Sequence, residues 1–222
     1  MKAELPTLWD IKTRTQFYMM DYFALLNEPR RPWLETSSLK EKFLALSAEV
    51  HPDRFHNASE SEKEQATQRY TDLNAAYNCL REPKSRLQHL LELETGSRPK
   101  EVQQIPPETM ELFMEVAQLC RQVDGFVAQH AKVSAPMLKV ELFERAQEWT
   151  ESLNCLQVKI AAKRDQLNLR LEQLNTFWEK APLAAMEQNA AGLQELEQLW
   201  RDFSYVARWS SQIQDRLVQL SL

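Results

Sequence analysis

Among 222 residues only 3 are glycine, where average usage of about 7% would supply roughly 15. Glycine provides the positive φ that tight hairpins and phosphate-cradling loops require. Its scarcity argues against a β-sandwich, a Rossmann-type dinucleotide domain or a P-loop enzyme. An all-α chain is the simplest alternative, and the 10 prolines then show where its helices begin and stop.

The length allows one or two domains with a sizeable core. Charged residues at 27% and hydrophobic ones at 43% are the balance of a soluble folded protein. A net charge of −5 does not suit a protein that holds nucleic acid by neutralising phosphates. Cys79, Cys120 and Cys155 are odd in number, far apart and never in a C-x-x-C pair. They are therefore expected in the core rather than in a disulfide framework or as nucleophiles. His56, His89 and His130 have no cysteine or carboxylate at ligand spacing, so no metal site is expected. No G-x-S-x-G or other nucleophile motif occurs, and the expectation is a protein that is not an enzyme and uses no cofactor. No 18 apolar residues run together, and Glu4 and Asp10 stand where a leader would be basic and apolar. That predicts a cytoplasmic chain without a membrane span.

The chain divides by its punctuation. Asp21-Tyr22-Phe23-Ala24-Leu25-Leu26 reads as a short helical turn closed by Asn27-Glu28-Pro29. Ser38 with Glu41 three residues on has the form of a capping box, so a helix opens near Ser38. Leu39, Phe43, Leu46 and Val50 share one of its faces, and Pro52 ends it. A polar loop covers Asp53 to Ala58. Ser59 with Glu62 then caps a longer helix whose Ala66, Tyr70, Leu73, Tyr77 and Leu80 recur every three or four residues. Pro83 stops that helix, and a short one with Leu87, Leu90 and Leu91 closes at Gly96.

Pro99, Pro106 and Pro107 mark a connector over 97–106. Three helices follow: Pro107 to about Lys132, Pro136 to about Lys180 and Pro182 to about Leu220. The second keeps Leu142, Ala146, Trp149, Leu153, Leu156 and Ile160 in 4-3-4-3-4 spacing, resumed by Leu167, Leu171 and Leu174. The third carries Met186, Ala190, Leu193, Leu196, Trp200, Phe203, Ile213, Leu217 and Leu220 at compatible offsets. Sustained heptads with short connections predict an elongated antiparallel three-helix bundle. Trp149, Trp178, Trp200 and Trp209 are expected to pack in or at the edge of its core.

One motif carries chemistry. His51-Pro52-Asp53 sits between two helices that read as an antiparallel hairpin. Pro52 breaks the helix and fixes the loop direction, and His51 closes the helix end with a polar ring. Asp53 is left as an exposed carboxylate able to accept a bidentate bond from a partner arginine.

This arrangement resembles the J-domain, the module that stimulates ATP hydrolysis by DnaK-type chaperones. His51-Pro52-Asp53-Arg54-Phe55, Leu73-Asn74, Ala76-Tyr77, Leu80, Pro83, Arg86 and Leu90-Leu91 look like the HscB (Jac-type) branch of that family. The resemblance implies a J-domain over 16–96 and a client-binding C-terminal helical bundle over 107–222. It also implies two partners: a DnaK- or HscA-type chaperone, and an IscU-like iron–sulfur scaffold delivered to it. His51, Pro52, Asp53 and Arg54 would meet the chaperone. Lys40 and Lys42, the basic residues on the preceding helix, either join them or form a solvated face.

The family presents a Leu-Met-Glu run to the scaffold, and Met110-Glu111 matches it with Thr109 in place of leucine. Met110, Phe113 and Met114 are then the client-binding candidates, while Met114, Val116 and Ala117 stand where charged partners are usual. Apolar residues cover more than one side of this helix, which means burial on two sides or an exposed partner groove. The alternatives to scaffold delivery are a J-domain adaptor for another client and a structural helical scaffold.

Overall fold

The computed structural model describes residues 20–100, 107–130, 136–180 and 190–221. Residues 16–19 of the expected first domain, 101–106 of the connector, Lys132, Pro182 and Met186 lie outside the described residues. The described chain is all-α: seven α-helices and one 3-10 turn, with no strand among the described residues.

The first helix, α1 (Tyr22–Leu25), is one turn long and survives because its ends are tied. Asp21 Oδ1 accepts the Phe23 and Ala24 N–H groups at 3.0 and 3.2 Å, satisfying donors that a helix start leaves open. Asn27 closes the turn at φ 53°, a left-handed position that Asn tolerates better than most residues. Phe23 and Leu26 are fully buried.

The second helix, α2 (Thr36–Glu49), starts two residues before Ser38. Glu35 is its N-cap, with carboxylate oxygens that accept from Ser37 N at 3.0 Å and Ser38 N at 2.6 Å. Ser38 is therefore a donor inside the first turn, and its pairing with Glu41 does not form the cap. Where a polar loop was expected, Pro52–Phe55 forms a 3-10 turn, because Pro52 is preset to helical φ at a first position. Helix α3 (Glu60–Arg81) begins at Ser59 with both bonds of a capping box. Helix α4 (Pro83–Thr95) ends on Gly96 at φ 69°, the left-handed residue that closes helices cheaply.

Two compact units result: Met1–Pro99 with Leu174–Glu197, and Lys100–Gln173 with Gln198–Leu222. The first has Leu34, Leu39, Leu73, Ala76, Leu80, Leu87, Leu90 and Leu91 in its core together with Phe23 and Leu26. Phe43 of α2 stacks on Tyr77 of α3 at 4.3 Å.

Two buried polar residues fasten the core of this unit. Arg86 donates to the carbonyls of Pro32 and Leu80, each at 2.7 Å, and so ties the loop before α2 to the end of α3. Burial pulls its pKa down to about 10, which still leaves it charged at neutral pH. His89 accepts the Tyr22 N–H at Nε2, 3.1 Å away, and its ring lies near-parallel to Phe23. Within the same unit, Arg31 pairs with Glu179 at 2.9 Å and the Trp33 N–H reaches Asn175 Oδ1 at 3.3 Å.

The second unit is built from α5 (Pro107–His130), most of α6 (Pro136–Lys180) and most of α7 (Ala190–Leu220). The 45 residues of α6 extend roughly 65 Å at about 1.5 Å each. Leu153, Leu156, Ile160, Leu167, Leu171 and Leu174 are all buried, the positions that the heptad spacing picks out. On α7, Leu196, Trp200, Phe203, Trp209 and Ile213 are buried as expected, and Leu199 and Val206 join them. Helices α5 and α6 run antiparallel, since Lys159 pairs with Glu115 while Phe126 meets Trp149. Arg216 of α7 binds Asp124 at 2.6 Å and the Cys120 carbonyl at 3.3 Å.

Candidate functional site

Between α2 and α3 the chain has to reverse, and all but one of the ionisable side chains from His51 to His56 help to hold that reversal. His51 Nδ1 accepts the Asp53 N–H at 3.3 Å, and the ring stands edge-on to Tyr70 of α3, 5.3 Å between centroids. The Arg54 N–H returns to the His51 carbonyl at 3.0 Å. The Arg54 guanidinium donates to the Ala48 carbonyl at 3.1 Å. A cation on the last carbonyls of a helix satisfies an open acceptor and complements the negative end of the dipole. His56 Nδ1 closes the turn against the Asp53 carbonyl at 3.1 Å.

The exception is the Asp53 carboxylate. Its side chain is 89% exposed, and among the described residues its nearest cation-forming group is His51 Nδ1 at 3.6 Å. The backbone beneath it is fixed by His51, Pro52 and Arg54, so the anion is held on a rigid corner and faces solvent. A carboxylate in that position is available to an incoming arginine.

The two lysines of α2 differ in their surroundings. Lys42 is committed inside the molecule: its ammonium lies 2.9 Å from Glu28, a carboxylate only 4% exposed, and donates to the Asn27 carbonyl at 3.1 Å. Lys40 is exposed. Lys40 is therefore the more available cation of the pair, since Lys42, though its side chain is 39% exposed, is paired with Glu28.

The candidate client residues lie on α5 in the second unit. Thr109, Val116, Cys120, Val123 and Phe126 form its buried side. Met110 and Met114, one turn apart, are 42% and 54% exposed, and Phe113 between them is half-buried. The two-sided apolar pattern is thus a core face plus an open methionine face. Val116 lies in the core, so nothing at that position is offered to a partner. Beside this face a groove of about 450 Å³ runs between α5 and α6, lined by Leu119, Leu156, Gln122 and the Glu115–Lys159 pair.

The cysteines divide. Cys120 is buried and Cys79 half-buried, with burial pushing the Cys79 thiol up to about 11. Cys155 is exposed and lines that groove, contrary to the expectation of a core residue, because it follows Asn154 on the solvent side of α6, off the Leu153–Leu156–Ile160 stripe. No group of three metal-ligating side chains occurs among the described residues. Among them, too, no helix is long and apolar enough to cross a membrane.

Sequence reasoning missed two residues at the hairpin. Leu44, on the solvent side of α2, is 54% exposed, and only its placement off the Leu39–Phe43–Leu46 face signals it. Glu28 is buried beneath Lys42, and nothing in the local sequence distinguishes it from a loop carboxylate.

No family model matches the chain. Among curated proteins it is 44% identical over 73 residues to the co-chaperone protein HscB homolog of Azoarcus sp. (strain BH72), covering 33% of this chain and 41% of that protein. The match thus spans about two fifths of the curated relative. Among solved structures, chaperone HscB from Vibrio cholerae aligns with a TM-score of 0.56 at 23% identity, covering 90% of this chain and 99% of that one. Human co-chaperone protein HscB aligns with a TM-score of 0.59 at 20% identity, covering 89% and 82%. The likeness in sequence to these HscB proteins extends over a third of the chain, and the likeness in fold over nine tenths of it.

Proposed function

We propose that this chain is a co-chaperone of iron–sulfur cluster assembly. Residues 16–96 act as a J-domain that stimulates the ATPase of a DnaK- or HscA-type chaperone. The bundle over 107–222 brings an IscU-like scaffold client. The chain performs no bond chemistry of its own; it presents an anion to the chaperone and thereby couples ATP hydrolysis to client capture.

The observation that carries the reading is the Asp53 carboxylate, exposed at a corner that the side chains of His51, Arg54 and His56 hold in place. An arginine of the chaperone meeting it forms a charge-assisted, two-pronged contact. Truncating one partner of such an interface pair costs about 2–5 kcal/mol. Pro52 and Arg54 keep the corner stiff, so little ordering cost is left for association. Met110, Phe113 and Met114 give the client an apolar face, since methionine adapts its shape to a partner and an exposed pair one turn apart is a ready contact stripe.

The Asp53→Asn chain should keep its thermal midpoint and fail to raise the ATPase rate of a purified DnaK- or HscA-type chaperone. His51→Gln should also fold and fail to stimulate, with a somewhat lower midpoint, because the turn loses its cap and the ring contact with Tyr70 while the hairpin core is untouched. Stimulation equal to the unaltered chain would refute the mechanism. Saturable binding of an IscU-type scaffold, lost in Met110→Ala and Phe113→Ala, separates scaffold delivery from an adaptor for another client. That second reading is favoured by the apolar residues Met114, Val116 and Ala117 at positions where charged partners are usual.

A further inference from the structure

Helix α6 carries a second heptad on the side away from its core. Leu153, Ile160 and Leu167 recur every seven residues, are at most 2% exposed and mark the inward line. Cys155, Val158, Ala162, Asp165 and Leu169 follow one another at steps of 3, 4, 3 and 4, and all five are exposed. Val158 and Leu169 reach 70% and 60%. In a heptad counted from Cys155 the inward residues fall at f, opposite the seam, so the exposed five occupy the a and d positions of a coiled-coil face. A lone surface valine or leucine needs no explanation. Four apolar residues and one acid in seam order are a different matter, and all of them lie within the second unit.

We infer that this face binds the same face of a second copy of the chain, antiparallel, with the two-fold axis between Lys163 and Arg164. Neither Asp53 nor Met110 takes part, so the inference stands apart from the co-chaperone reading. Asp165 selects both the occupant and the register. A parallel pair would set Asp165 against Asp165 of the second copy at one level, a like-charge contact inside the seam. Antiparallel pairing sets a positions against d positions. With the axis between Lys163 and Arg164, Val158 faces Leu169 of the second copy and Leu169 faces its Val158. Asp165 then faces Ala162, whose methyl leaves room for the carboxylate to stay wet. Lys159 of the second copy comes within a turn of it. That ammonium already holds Glu115, and its remaining N–H donors are free to meet a second anion. Shifting the pairing by one heptad either way sets Leu169 against Glu151 or against Asp165, which leaves a single favourable register. At about 1.5 Å per residue, 154–173 is a strip roughly 30 Å long and about 10–12 Å wide, so the two copies together cover roughly 700 Å². That lies under the about 1,200 Å² of a stable complex, and the dimer is accordingly weak and dependent on concentration.

Sedimentation equilibrium of the full chain between about 5 and 500 µM should show monomer and dimer with a dissociation constant on the order of 100 µM. Val158→Asp and Leu169→Asp should each raise that constant at least about tenfold. Asp165→Lys, which brings a cation towards Lys159 of the second copy, should raise it about threefold. Phe143→Ser removes an apolar side chain that is 70% exposed on the same helix but lies off the seam, and should leave the constant unchanged. Thermal midpoints of all four should match the unaltered chain, because each site is exposed. The register is read by cross-linking in a Cys155→Ser background with copper–phenanthroline and dissolved oxygen as oxidant. A mixture of the Val158→Cys and Leu169→Cys chains should form a disulfide-linked dimer, and neither chain should do so alone. A protein that stays monomeric over the whole range overturns the inference and leaves the stripe to another occupant. A dimer indifferent to Val158→Asp and Leu169→Asp overturns it by placing the contact elsewhere. Cross-linking within either single variant, or none in the mixture, refutes the antiparallel register.

Discussion

The hairpin of α2 and α3 and the outer side of α5 both leave candidate binding residues exposed, yet they reach that state by opposite routes. In the turn of the hairpin, the side chains of His51, Arg54 and His56 are consumed by the fold, and Asp53 stands out as the ionisable group left over. On α5, the exposed Met110 and Met114 are of the same chemical kind as the buried Val116 and Val123. Their role is not visible in residue type, only in which way the helix turns. An exposed anion among engaged neighbours is therefore conspicuous, whereas an exposed methionine among core residues is camouflaged.

The largest effect that sharpens this contrast is expected at Arg86. Its side chain is buried and serves two carbonyls on different segments. Arg86→Ala would strand both acceptors in the interior, at about 3–5 kcal/mol. A chemical-denaturation curve should show the transition of the first unit moved to far lower denaturant. Asp53→Asn, also the loss of a charge, should leave that curve in place. If both variants destabilise alike, the division between consumed and left-over polar groups is wrong.

On the helical side the matching pair is Leu167 and Met114. Leu167 is fully buried, and Leu167→Ala should cost about 3 kcal/mol through lost transfer energy and a cavity. Met114→Ala removes a side chain that is 54% exposed and should stay within about 0.5 kcal/mol, while weakening client binding. Thermal melts of the two variants beside a scaffold-binding titration would test this. Loss of stability in both, with binding intact, would make the methionine face structural.

What was readable in the sequence follows the same division. Heptad spacing marked Leu153 to Leu174 as core because burial of a helix stripe is a periodic demand that the sequence has to repeat. Ser59 and Glu62 marked the start of α3, since both partners of that cap lie within four residues. The Asp53 corner was readable because a proline and a charged residue in fixed order specify a turn and leave few alternatives. Arg86 and His89 belong to recognisable patterns, but their bonds to Pro32, Leu80 and Tyr22 span distances in sequence that no local rule reaches. Lys42 was read as a surface charge for the same reason: Glu28, which holds it, lies 14 positions earlier in the chain. Exposure of Cys155 and Leu44 depended on which neighbours each helix acquires.

His89 gives a smaller effect that depends on pH. Burial holds its pKa below the usual imidazole value, with Asp21 and Glu92 opposing and Arg30 assisting that shift. The unfolded chain therefore binds a proton more readily than the folded one in the window just below the unperturbed value of about 6.5. The stability linked to His89 is fully present above that value and declines as pH falls through the window toward the folded pKa. Protonating Nε2 also removes the acceptor for the Tyr22 N–H. His89→Phe should lose about 1–2 kcal/mol at neutral pH through the unpaired N–H. Its stability should also vary less between about pH 6.5 and 5 than that of the unaltered chain. Parallel pH slopes for the two proteins would exclude His89 as the titrating group.

The smallest expected effect compares two sequences that look alike. Ser38 and Glu41 have the same spacing as Ser59 and Glu62, but only the second pair forms a capping box, because Glu35 already occupies the start of α2. Ser59→Ala should cost about 1 kcal/mol by removing the acceptor for the Glu62 N–H. Ser38→Ala keeps its N–H donated to Glu35 and should change the thermal midpoint by no more than the experimental error. The carboxylates behave alike for different reasons: hydrogen bonds from Ser37 and Ser38 hold Glu35 below its ordinary value, and those from Ser59 do the same for Glu62. Both caps are therefore intact above the ordinary carboxylate pKa and weaken as pH falls below it. If Ser38→Ala proves as costly as Ser59→Ala, the helix begins at the serine after all. The loop that Lys42, Glu28 and Arg86 fasten would then be held two residues away from where its hydrogen bonds put it.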